Sequence, residues 1–177
     1  MAEKFTKESF QAQFILGRSA AYLIDIALLF GVLMPLGFFI QSLLGLQATT
    51  GREISVNILW NFSLPTWLYF TLSDSSKRGA TLGKRFLGLK VTSKTTNDIS
   101  LSRAVLRTAI KLLPWELVHI SAFALSADLS QFSVLQFIGV GIANALWLTY
   151  SVVAVATKGR RSVHDLIVKT EVQATNA

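Results

Sequence analysis

The feature that most limits this chain is a set of long stretches nearly empty of charge. Residues 19–40 carry only Asp25, residues 54–72 carry no charge, and residues 132–156 carry none over 25 positions. At about 1.5 Å of rise per residue, each is long enough as a helix to cross a hydrocarbon layer about 30 Å thick. The first holds twelve Leu, Ile, Val or Phe residues. Their gain of roughly 0.3–0.6 kcal/mol apiece on insertion outweighs the roughly 2.5–3.5 kcal/mol cost of one central carboxylate. It also exceeds the roughly 7–15 residue apolar core of a signal peptide, so a membrane helix is expected there.

A fourth stretch, residues 112–129, is more polar, with Pro114, Glu116 and His119. The distribution of basic residues argues that it crosses too. Lys4, Lys7 and Arg18 precede the first stretch, Arg52 stands alone between the first two, and nine lie in residues 73–111. Lys158, Arg160, Arg161 and Lys169 follow the last stretch. Because Lys and Arg concentrate on the cytoplasmic side, four spans with both termini cytoplasmic leave only Arg52 outside, whereas three would strand the basic tail. The expected fold is therefore all-α: a multi-pass, four-span transmembrane bundle forming a single domain over 1–177, with a cytoplasmic segment at 73–111 and a cytoplasmic tail at 157–177.

The net charge of +7 belongs to the segments between apolar stretches, which points to a bilayer and away from nucleic acid. Within residues 73–111, Leu89 to Thr92 reads as a short extended piece, and Ser100 can cap a helix starting at Leu101. Leu101, Val105, Ala109 and Leu112 fall on one side of that helix, and Arg103, Arg107 and Lys111 on another. It is expected to lie amphipathically at the interface, its basic side toward anionic lipid.

Asp25 most needs a chemical explanation, because a carboxylate in lipid must be paired, neutralised or turned to a polar cavity. Arg18 lies two turns earlier on the same side, about 10.5 Å away along the axis. Glu116 and His119, three apart on the third stretch, share a face. Arg18, Asp25, Glu116 and His119 form the candidate intramembrane site for a proton or monovalent cation. The competing reading is a set of polar contacts that only fixes helix register. Asn57 and Asn61 share a face, and Gly139, Gly141, Ala143 and Ala145 suit close helix packing, including self-association into a homo-oligomer.

These residues carry a resemblance. Arg18 and Asp25, Thr81-Leu82-Gly83-Lys84-Arg85, Leu87-Gly88-Leu89-Lys90-Val91, Arg103, Arg107, and His164-Asp165-Leu166 with Thr170 together resemble the RDD family of small multi-pass membrane proteins, over about residues 14–172. That family is named for one arginine and two aspartates, and the resemblance makes Asp165 the second aspartate. It implies transport of ions or small ligands and a cell membrane, of bacterial type. The motif residues it marks on the cytoplasmic side are Gly83, Lys84, Arg85, Arg103, Arg107, His164 and Asp165.

Other chemistries find no pattern. Zero cysteines remove thiolate metal sites and cysteine nucleophiles. Gly79 to Lys84 has the wrong glycine spacing for a phosphate-binding loop, and Arg85 replaces the Ser or Thr such a loop needs. No ligand spacing for a metal and no nucleophile triad is evident, so neither a cofactor nor an enzyme is expected. Transport of ions or small solutes is the leading function. The alternative is a membrane scaffold or regulatory subunit that binds anionic lipid or a partner protein.

Overall fold

The computed structural model describes residues 2–93, 98–125 and 132–175, with side chains from residue 13 onward. Seven α-helices account for most of these. They are α1 (Ala2–Leu43), α2 (Gly51–Ile58), α3 (Leu64–Ser75), α4 (Leu82–Phe86), α5 (Leu101–His119), α6 (Val134–Ala156) and α7 (Val163–Ile167). Wide π-turns at Leu59–Ser63 and Ile120–Ala124 join α2 to α3 and extend α5. The extra residue of the first falls just before Pro65, whose ring could not tolerate a regular hydrogen bond at that point.

Two helices, spanning Gln13–Leu43 and Val134–Ala156, are long and apolar enough to cross a membrane. Both turn large apolar side chains outward, including Phe38, Phe39, Val134 and Trp147. A helix from the core of a water-soluble protein would bury such residues, so this surface suits lipid contact. The other two expected stretches are helical where described, and residues 126–129 at the end of one lie outside the described residues.

The all-α expectation needs correction. Strands β1 (Leu89–Ser93) and β2 (Thr170–Ala174) pair antiparallel, with Val91 opposite Val172. The extended reading of Leu89 to Thr92 holds, and its partner comes from the far end of the chain. Val91 and Val172 join Ala21, Leu89, Ile99 and Ala104 in a small core against which Phe14 packs. β-branched residues on one face of a two-stranded ladder gain stability only by such packing.

The chain divides into two compact units. The first comprises residues 1–27, 69–111 and 149–177, and the second residues 28–68 and 112–148. In the second, the rings of Phe30, Phe62 and Trp115 pack in tilted and edge-on contacts with centroids 4.4–5.9 Å apart. Gly139 approaches Ser121 so closely that a side chain there would overlap the hydroxyl, as expected for small residues between packed helices. The side chain of Gln136 caps the carbonyl of Ala122 at 2.8 Å.

Helix α5 also departs from expectation. Leu101 and Val105 are 56% and 46% exposed, whereas Arg107, on the side assigned to headgroups, is 1% exposed. The helix is inside-out along this stretch because Arg107 finds carboxylates inward, and a buried guanidinium survives only with such partners. Leu112 is buried as its spacing suggested.

Candidate functional site

The candidate site lies in the first unit and is built around three buried aspartates. Asp25, on α1, is 1% exposed. Its Oδ1 accepts from the Tyr69 hydroxyl at 2.6 Å and the Gly83 amide at 2.8 Å. Its Oδ2 accepts from the Thr81 hydroxyl at 2.6 Å. Thr81 is the residue that caps α4, its oxygen also accepting from the Lys84 amide at 3.4 Å. The Tyr69 oxygen in turn accepts from the Leu82 amide at 2.9 Å. The first turn of α4 thus rests on Asp25, which satisfies amide groups a helix start leaves unpaired. Gly83 is required by this approach: a Cβ would overlap the Ala21 carbonyl of α1. The Gly83 amide, which a phosphate-binding loop would turn to its ligand, is committed to the aspartate.

Asp74, at the end of α3, accepts from the Lys84 ammonium at 2.6 Å and from Nη1 of Arg107. Arg107 uses its remaining fork on Asp165, with Nε at 2.9 Å and Nη2 at 2.8 Å from Oδ1. The second oxygen of Asp165 accepts from Arg18 and from the Ser162 amide at 3.0 Å, which caps α7. Thr170, at the start of β2, donates to Asp165 at 3.1 Å. Arg18 also donates to the Gly159 carbonyl at 2.9 Å and lies 3.2 Å from Nε2 of His164. One guanidinium therefore bridges two carboxylates held on different segments, a geometry that suits the planar fork of arginine.

The electrostatics follow from this placement. Burial alone would favour the protonated form of Asp165, but Arg107 and then Arg18 reverse that and hold its carboxyl well below the usual range. Asp74 is likewise opposed by burial and brought down to about 2 by Lys84, Arg107 and Lys111. Burial pushes His164 down to about 4, so it is neutral at physiological pH. Among the described residues its Nδ1 is buried without a partner. Lys111 places its ammonium 3.2 Å from the Phe70 ring centroid and 4.9 Å from that of Tyr22.

The structure sorts the predicted residues into separate constellations. Arg18 and Asp25 do not share a bridging group: Arg18 holds the α7 segment and Asp25 holds α4. Glu116 and His119 make their bonds within the second unit, Glu116 to Ser63 and Trp67 at 3.0 Å each and His119 to the Trp115 carbonyl at 3.0 Å. Gly83, Lys84, Arg107, His164 and Asp165 all enter the buried network. Arg103 reaches Ser93 at 2.8 Å, and Arg85 binds the Ala80 carbonyl at 2.9 Å. Asp165 thus pairs with Arg107 on α5, while Arg161 goes to Glu171 at 2.9 Å. Sequence reasoning missed Asp74 and Tyr69. A lone aspartate two positions beyond an uncharged stretch was the available signal for the first. Among the described residues, no group of three or more His, Asp or Glu side chains is arranged to hold a metal.

A sequence model of the RDD family matches residues 14–169, and the chain belongs to that family. The match takes in Arg18 and Asp165, which pair with each other, and Asp25, on which α4 is seated. No curated protein and no solved structure matches the chain.

Proposed function

We propose that the protein is a four-span membrane protein with both termini cytoplasmic, which moves ions or small solutes through a path whose state is coupled to protonation of Asp25. The observation that carries this reading is the direct seating of α4 on Asp25, a buried carboxylate within a long apolar helix. Intramembrane carboxylates are costly and mark ion or proton paths. A proton on Oδ2 would turn the Thr81 hydroxyl from donor to acceptor. That oxygen already accepts from the Lys84 amide, so both of its lone pairs would be taken and its own buried proton would lose its acceptor, which loosens the seating of α4 and gives the cytoplasmic segment a second arrangement.

Two further features fit. Gly139 is used within its unit, but a Cβ on Gly141 would meet open space, which leaves room on α6 for a second copy. With Arg107 turned inward, contact with anionic lipid falls to the exposed Lys77, Arg78, Arg85, Lys158, Arg160 and Lys169.

The test is reconstitution of the pure protein into liposomes with internal pH and monovalent-cation reporters. Wild-type protein is expected to give flux, and Asp25→Asn to reduce it at least tenfold while membrane insertion and abundance persist. Absence of wild-type flux together with a stably co-purifying partner would overturn the reading in favour of a scaffold or regulatory subunit.

A further inference from the structure

The buried cluster has an imbalance of charge. Its carboxylates are the buried Asp25, Asp74 and Asp165, and its cations are the buried Lys84 and Arg107 with the half-buried Arg18 and Lys111. Three of the four cations make ion pairs: Arg18 with Asp165, Lys84 with Asp74, and Arg107 with both. Lys111 makes none among the described residues; its ammonium lies against the faces of Phe70 and Tyr22. With Lys111 uncharged and His164 neutral, three carboxylates face three cations and the set is electroneutral.

We propose that Lys111 is a reversible proton-binding site, the basic group of this cluster that gains and loses its charge while the paired groups stay ionised. Burial and the neighbouring cations Lys84 on α4 and Arg107 on its own helix favour the free amine, and Asp74 on α3 and Asp25 on α1 partly restore the ammonium. The net effect holds Lys111 well below the ordinary lysine range. Burial lowers Lys84 as well, but the Asp74 carboxylate at 2.6 Å keeps its charge in place. Lys111 has only ring quadrupoles, which stabilise an ammonium less than a carboxylate does. Uptake is simple in its balance: the amine lone pair takes one proton from water, the amine becomes an ammonium, and the cluster gains one positive charge. That charge sits in the field of Asp25, so protonation of either group changes the affinity of the other for its proton.

What the proton does rests on the transport reading; where it binds does not. The experiment is therefore a direct titration. Protein carrying ¹³Cε-labelled lysine is placed in lipid nanodiscs, the Lys111 signal is assigned by its loss in Lys111→Arg, and its shift is followed from pH 6 to pH 11. The expected midpoint is more than one pH unit below that of Lys77, an exposed lysine. A Lys111 midpoint equal to that of Lys77 would overturn the proposal. Lys111→Met should leave the thermal midpoint at pH 8 unchanged or higher, because an unpaired amine is replaced by an apolar chain over the same rings. A marked fall would instead assign Lys111 a fixed structural charge and also overturn it. In the liposome assay Lys111→Met should flatten the pH dependence of flux. Lack of wild-type flux would sink the transport reading while leaving the titration to decide this one.

Discussion

The two units of this chain handle polar groups in opposite ways. In the first, aspartates and basic side chains are buried together, and Arg107 joins Asp74 to Asp165. In the second, the rings of Phe30, Phe62 and Trp115 pack together, and Glu116 is satisfied by two neutral donors, Ser63 and Trp67. Removing one member of a buried ion network leaves an uncompensated charge, whereas a carboxylate with neutral donors loses hydrogen bonds and strands no counter-charge. Tolerance to substitution should therefore differ sharply between the units.

The largest effect is expected from Asp165→Asn. It keeps the shape but strips Arg107 and Arg18 of a shared counter-ion, and should cost about 3–5 kcal/mol, read as a lowered thermal midpoint in nanodiscs and faster proteolysis of the tail. A loss under about 1 kcal/mol would mean the network is not a stabilising unit. Next comes Gly83→Ala, whose methyl group meets the Ala21 carbonyl. Lifting α4 from α1 should cost about 1–3 kcal/mol, and should raise amide exchange at Leu82 and Gly83 while leaving α6 unchanged.

Acid should act on the first unit in two stages. His164 titrates near 6.5 when unfolded and about 4 when folded. The unfolded chain therefore binds its proton first, and stability is lost as pH falls from about 6.5 to 4, by up to about 3 kcal/mol. Asp74 and Asp165 have folded values below their ordinary 3.8. Their contribution is whole above that pH and is lost below it. His164→Gln should remove the upper stage and leave the lower. The smallest change is expected from Glu116→Gln, at or below about 1 kcal/mol, since the amide oxygen can keep one donor and the Ser63 hydroxyl can reverse. A larger loss from Glu116→Gln than from Asp165→Asn would break the comparison between the units.

Much of this arrangement was legible beforehand, and its failures share a cause. The long apolar helices and the extended piece at Leu89 follow from local pattern, as does the importance of Arg18 and Asp25, while Asp165 was marked by the family resemblance. The pairing of those residues does not. Two turns of separation on one helix suggested that Arg18 and Asp25 share a bridge, yet each reaches a segment brought in from far along the chain. The same limitation misdirected α5. Its two faces were recognised, but the choice of which one turns inward depended on Asp74 and Asp165, distant by 33 and 58 positions from Arg107. Glu116 and His119 looked like companions for Asp25 because all are polar residues in apolar stretches, and each instead found partners within the second unit.

The sequence by itself determined which stretches are long and apolar enough to seek lipid, because residues 19–40, 54–72 and 132–156 hold a single charge, Asp25, among them. It also determined which helix starts are capped, since Thr81 and Asp165 act within a few positions of themselves. Only the tertiary structure decided which carboxylate meets which cation. Ion pairing depends on distance in space, and the contacts that bury these charges join residues whose separation along the chain carries no signal of their meeting.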